Sequence, residues 1–158
     1  MDKPKQIEAK IIGEKGCYFL SIVNGVSRYC AEKKDPLNVD IIRLYEVAMD
    51  EGWISNDCYV ERPDLIAAYI MGVSLAVLKD AMSKNKEILE VKIAKKPLAY
   101  MPANNEIEIT RYEKEATGVT FSHFVVTRDG EVIHDPYGNS NTVSKGYPVS
   151  KRILTVNI

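Results

Sequence analysis

The chain carries two histidines, and one of them, His123, stands in a segment rich in β-formers, Phe121-Ser122-His123-Phe124-Val125-Val126-Thr127. A turn signal, Arg128-Asp129-Gly130, follows, and then Glu131-Val132-Ile133-His134-Asp135-Pro136. Together they read as a β-hairpin, and its register decides the chemistry. If Arg128-Asp129-Gly130 is a three-residue loop with Gly130 left-handed, Thr127 opposes Glu131, Val125 opposes Ile133 and His123 opposes Asp135. Opposed residues share a face, with Cβ atoms about 4.5–5.5 Å apart. A carboxylate there fixes the imidazole tautomer and stabilises the imidazolium. A two-residue Asp129-Gly130 loop would instead send Asp135 to the other face. The three-residue register is the preferred expectation, because it sets the polar pair beside an apolar patch of Phe121, Val125 and Ile133.

A histidine–carboxylate pair does acyl chemistry when it has a nucleophile. Cys17 is the candidate, because it is expected in the first turn of the first helix, behind Gly16. Free N–H groups and partial positive charge at a helix start favour thiolate over thiol. The same N–H groups can stabilise an oxyanion at an attacked carbonyl. Each residue also has an ordinary structural reading: a buried inert thiol, a hydrogen-bonded core histidine, and a turn-forming Asp before Pro136. It is the combination that points to chemistry. Cys30 and Cys58 read as core residues, and His134 as a surface residue facing away from His123. A zinc site built from Cys17, Cys58 and the histidines lacks any close ligand pair.

Phe19, Ile22, Val23, Val26 and Cys30 recur at helical spacing, with Gly25 in their midst as the mark of a close approach by another element. A second helix is expected from an Asn38 N-cap to Glu51, ended by Gly52, with Ile41, Leu44, Tyr45 and Ala48 as its stripe. A third fits Pro63 to Met71, ended by Gly72. After residue 72 the expectation turns to strands: an apolar run Val73–Leu78, an alternation at Leu89, Val91 and Ile93, another at Ile107 and Ile109, then the hairpin and a last strand over 152–157. Helices followed by an antiparallel meander read as a single α+β domain over 1–158, with a helical half (1–72) and a sheet half (73–158).

Composition limits the partners. Lys and Arg total 21 against 22 acidic residues in a 158-residue chain, which excludes a strongly basic nucleic-acid sleeve. Lys92, Lys95 and Lys96 read as a solvated strand edge. A helix-turn-helix over 39–71 is disfavoured, because its second helix carries no lysine or arginine to meet phosphate. No apolar run approaches the roughly 20 residues of a membrane helix, and no secretory leader is evident. Three widely spaced cysteines form no disulfide framework. The expectation is a cytoplasmic protein, with no nucleic-acid or membrane partner.

Gly16-Cys17-Tyr18-Phe19 opening a helix, then Ser122-His123-Phe124-Val125-Val126 and His134-Asp135-Pro136-Tyr137-Gly138, resemble the papain-like cysteine peptidases, nearest in pattern to the bacteriocin-processing branch. The resemblance implies a papain-like fold, with Cys17 as nucleophile, His123 as general base and acid, and Asp135 orienting it. It implies a peptide or protein substrate and no metal or organic cofactor. Members of this superfamily commonly place a glutamine six residues ahead of the cysteine as an oxyanion donor; that position is Ile11, and the one glutamine is Gln6. Gln6 would serve only if Ile11 to Gly16 loops out. Otherwise the backbone N–H of Cys17 and another donor suffice, or the hole is incomplete. Three readings follow: a thiol hydrolase of peptide or isopeptide bonds, a non-catalytic binding module, and an acyltransferase with the same triad.

Overall fold

The structure, a computed structural model, describes residues 2–158. Six helices, α1 (Lys3–Lys15), α2 (Cys17–Lys33), α3 (Ile41–Asp50), α4 (Pro63–Ile70), α5 (Leu75–Ser83) and α6 (Asn141–Ser144), accompany five strands. The strands are β1 (Val91–Lys96), β2 (Glu106–Ala116), β3 (Val119–Arg128), β4 (Glu131–His134) and β5 (Tyr147–Val156). The class is α+β, as the order of sequence patterns implies.

The periodicity of α2 translates directly into packing: Phe19, Ile22, Val23, Val26 and Cys30 are all buried. Gly25 is where the helix meets the sheet. A Cβ there would lie 2.8 Å from Cγ2 of Ile107 and touch Val126, so the glycine sets the spacing between α2 and β2–β3. α3 begins two residues later than its sequence signal, because Asp40 caps it by accepting from the Arg43 N–H. Leu44, Tyr45 and Ala48 are buried as expected, while Ile41 is exposed. α4 starts on Pro63 and ends before Gly72, whose φ is +93°.

Two helices escape the sequence reading. α1 is polar and buries only Ile12, so it shows little periodicity; Asp2 caps it by accepting from Lys5. The apolar run Val73–Leu78 is not a strand. Ser74 caps a helix by accepting from the Val77 N–H at 3.4 Å, and Leu78 and Ala81 are its buried residues. Helices therefore run to Ser83, beyond the expected boundary at residue 72.

The sheet is antiparallel throughout, in the order β1-β5-β2-β3-β4. It is not a meander, because β5 inserts between β1 and β2. Ile153, Leu154 and Val156 are all buried, which suits a central strand covered on both faces. One face carries Ile107, Ile109, Val126 and Leu154 toward the helices. On the other, Glu108 and Lys151 form a fully buried ion pair at 2.8 Å, and Thr110 and Thr127 join their hydroxyls at 2.7 Å. The Lys151 Nζ also donates to the Tyr100 carbonyl, and Glu108 accepts from the Gly130 N–H at 2.9 Å. That pair thus holds the β3–β4 turn against the body of the sheet.

The turn itself differs from expectation. Arg128 opposes Glu131 and Thr127 opposes Val132, so the loop is the two-residue Asp129-Gly130, with φ of 52° and 87°. Two successive positive φ angles match the twist of a tight hairpin better than the three-residue alternative. The register then slips: Val126 opposes His134, leaving Ile133 as the extra residue of a β-bulge.

Candidate active site

Without that bulge Asp135 would face away from His123. With it, His134 opposes Val126, so Asp135, one residue beyond the end of β4, falls on the alternate face, the one that Val125 shares with His123. The expected partners therefore meet, through a different register. His123 Nε2 lies 2.6 Å from Asp135 Oδ1, with both side chains almost fully buried. The chain after β4 fixes the carboxylate: Oδ1 accepts from the Tyr137 N–H at 2.9 Å, Oδ2 accepts from the Ser140 N–H at 3.2 Å, and Gly138 N–H closes a turn onto the Asp135 carbonyl. Burial pushes the Asp135 carboxyl up, but the hydrogen bonds from His123, Tyr137 and Ser140 outweigh it and hold it below the usual carboxylate range. An ionised carboxylate only accepts, so Nε2 carries the proton and Nδ1 is left with its lone pair.

Nδ1 is buried and has no conventional hydrogen-bond partner. The titrating neighbour on the ring's other side is Cys17, half-buried at the start of α2. Burial raises the Cys17 thiol, but contact with the His123 ring, the Phe124 and Tyr18 backbone N–H groups and the imidazolium charge bring it below its ordinary value. His123 moves the opposite way: burial lowers it, and Cys17 and Asp135 raise it above the usual imidazole value. Cys30 and Cys58 are raised, chiefly by burial. Both are buried, as expected. Among the three thiols, only Cys17 is shifted toward thiolate.

Local backbone demands place the sulfur. α1 and α2 meet at Gly16, where a Cβ would lie 2.4 Å from the Ile12 carbonyl oxygen, so the junction admits only glycine without movement. Gly16 offers no side-chain cap, so no N-cap side chain occupies the first N–H groups of α2. Farther along, the Ser21 hydroxyl donates to the Phe124 carbonyl at 3.0 Å and locks α2 onto β3 beside His123. Gly16→Ala is expected to lower stability by about 1–3 kcal/mol, read from urea unfolding, and to slow Cys17 alkylation; an unchanged rate would show that the pinch does not position the sulfur.

Tyr137 is the residue whose role the sequence does not signal beyond its being an aromatic in the strand-rich half. Its ring stacks on His123 at 4.6 Å and 18°, and its hydroxyl donates to the Glu14 carbonyl at 2.7 Å. It thereby shields one face of the imidazole and ties the Asp135 turn to the end of α1. Burial, with Cys17 next, pushes its phenol up to about 12. His134 lies on the opposite face from His123, as expected, but is half-buried; burial first, then Arg28, lowers its imidazole.

Gln6 does not gain the expected route to the site. The segment from Ile11 to Lys15, which would have to loop out, is regular α1 helix, and Gln6 lies near that helix's other end. The backbone N–H groups at the start of α2 are the oxyanion donors this geometry offers.

Residues 2–156 match the model of the family described as "Protein of unknown function, DUF261". No curated protein and no solved structure matches the chain. Matching over nearly its whole length, the chain belongs to the DUF261 family.

Proposed function

We propose that this member of the DUF261 family is a papain-like thiol hydrolase that cleaves a peptide or isopeptide bond. The observation that carries the reading is the chain of contacts from sulfur to carboxylate: Cys17 against His123, and His123 Nε2 at 2.6 Å from Asp135. His123 Nδ1 takes the thiol proton, and the thiolate adds to the substrate carbonyl carbon. The resulting oxyanion is stabilised by N–H groups at the start of α2. The tetrahedral adduct collapses as imidazolium gives its proton to the departing nitrogen, which leaves a thioester. His123 then draws a proton from water, hydroxide displaces the thiolate, and the acid product departs. Every step uses groups of this chain, the substrate and one water molecule.

A binding module is the second reading. The feature favouring it is Ile11 in an unbroken α1, where the resembled peptidases commonly carry a glutamine. Acyl transfer to an amine uses the same groups, and added amine would raise product only in that case.

The test is alkylation by iodoacetamide at pH 6, followed by mass spectrometry of the cysteine peptides. Cys17 is expected to react at least about tenfold faster than Cys30 and Cys58, given its access and thiolate character. Equal, slow labelling of all three would favour the binding module. Turnover of a peptide library, with the acyl group of the Cys17 thioester captured by hydroxylamine as a hydroxamate and the thiol released, would separate catalysis from reactivity alone.

A further inference from the structure

Beside the thiol, the sheet carries an excess of positive charge that the fold does not neutralise. Phe124 follows His123 directly, and its backbone N–H contacts the Cys17 sulfur. Its ring stacks on Tyr18 at 4.2 Å and 12°. The guanidinium of Arg152 faces the same ring at 5.7 Å. Phe124 thus touches both groups, the Cys17 sulfur through its backbone and Arg152 through its ring.

Two further cations crowd Arg152. Lys95 stands directly across from it on β1. Arg111 on β2 is close enough that its charge, after the larger effect of burial, helps to lower the Arg152 guanidinium, against an opposing pull from Tyr18. The carboxylate within this group is Glu113, and it is engaged by Arg111. Arg152 donates from Nη1 to the Ser150 hydroxyl at 2.7 Å, and among the described residues it has no ion pair. Like charges directly opposite on a sheet are destabilising, and Arg152 is half-buried besides. A neutral donor would serve Ser150 equally well. Three cations around one engaged carboxylate, with a planar fork left largely unfilled, is the arrangement that receives an external carboxylate.

We propose that Arg152, backed by Lys95 and Arg111, binds a carboxylate of the peptide substrate beside Cys17. The inference rests on the thiol-hydrolase reading and narrows its substrates to peptides with an acidic side chain or a free α-carboxylate close to the scissile bond. Salt should weaken this preference, because Lys95 is exposed and Arg152 is only half-buried.

The experiment compares Cys17 alkylation by anionic iodoacetate and neutral iodoacetamide, in the native chain and in Arg152→Gln. The iodoacetate-to-iodoacetamide rate ratio is expected to be roughly three- to tenfold higher in the native protein, and to fall toward the variant's value in 1 M salt. Protection from iodoacetamide by N-acetyl-glutamate α-amide would identify an acidic side chain as the ligand; protection by N-acetyl-alanyl-alanine would identify a terminal carboxylate. N-acetyl-glutamine amide should protect in neither protein. Equal ratios in both proteins and no protection would overturn the subsite while leaving a reactive Cys17, and with it the hydrolase reading, intact. Should Cys17 prove unreactive, titrating the two carboxylates against the native chain by 1H–15N NMR still decides: shifts grouped at Tyr18, Phe124 and Arg152 support the subsite, and their absence ends it.

Discussion

Replacing His123 with alanine is expected to abolish the preferential alkylation of Cys17 and to reduce peptide turnover by roughly 10²- to 10⁴-fold, the range of a lost general acid–base. Without the ring, the opposing influence on the sulfur is mainly burial, which raises its pKa. Cys17 should then label at mildly acid pH much as Cys30 and Cys58 do. Asp135→Asn should fall between native and alanine variant, because the imidazole stays but loses the carboxylate that stabilises its charged form. The pH profile supplies a second reading of the same contact. The reactive pair needs Cys17 deprotonated and His123 protonated; Cys17 is lowered and His123 raised, so both shifts increase the share of molecules in which thiolate and imidazolium coexist. Turnover should rise along an acid limb set below the ordinary thiol value and decline along an alkaline limb set above the ordinary imidazole value, both belonging to the coupled pair. A His123→Ala protein with native labelling rates, or a native profile whose acid limb sits at the value of a free thiol, would remove the basis for the mechanism.

The second large effect concerns stability. Lys151→Met removes one partner of the buried pair with Glu108, whose side chains are only 3% and 2% exposed. An uncompensated buried charge of this kind costs about 3–5 kcal/mol. Chemical denaturation should show the loss as a lower midpoint. The double variant Glu108→Gln/Lys151→Met should recover a large part of it, because the stranded charge is gone. Glu108 also accepts from the Gly130 N–H, so hydrogen exchange at Gly130 should quicken in the single variant. Equal destabilisation of the single and double variants would mean that packing around the methylene stems, rather than charge compensation, holds this part of the sheet.

How far these features can be read from residues alone varies with the physics behind each. α2 is legible because a strongly apolar stripe at helical spacing has one good way to be buried, and Gly25 marks the contact with Ile107 that lets the sheet approach. α1 is not legible, since a helix that buries only Ile12 is held by contacts such as Tyr137 to Glu14, which no local pattern announces. Val73–Leu78 is ambiguous in principle: six residues, mostly apolar, fit either period, and the Ser74 cap tips them toward helix. The insertion of β5 between β1 and β2 follows from long-range pairing, with no counterpart in the order of segments.

The site divides in the same way. Cys17, His123 and Asp135 are recognisable from residue type and local context, and their side chains do converge. Their register is not recognisable. Asp129-Gly130 is a strong two-residue turn signal and forms that turn, whereas a three-residue loop is favoured only by the face it would give Asp135 in an unbroken ladder. The bulge at Ile133 reconciles the two demands, and nothing about an isoleucine in a strand announces that it is the unpaired residue. Tyr137 is invisible for another reason: its importance lies in stacking on a ring 14 positions away in the chain.

The bulge has a consequence for chain length. Between Gly130 and Asp135 the backbone must contain an odd-step correction to a ladder that otherwise alternates, so parity is a constraint on this stretch independent of its composition. Removing or adding a single residue there would exchange which side of the ribbon the carboxylate occupies, whatever residue were chosen. A change of two would preserve the side and shift only the reach. The hairpin therefore tolerates length variation in even increments alone, and an alignment gap of one at this point would signal a lost charge partner more surely than many substitutions would.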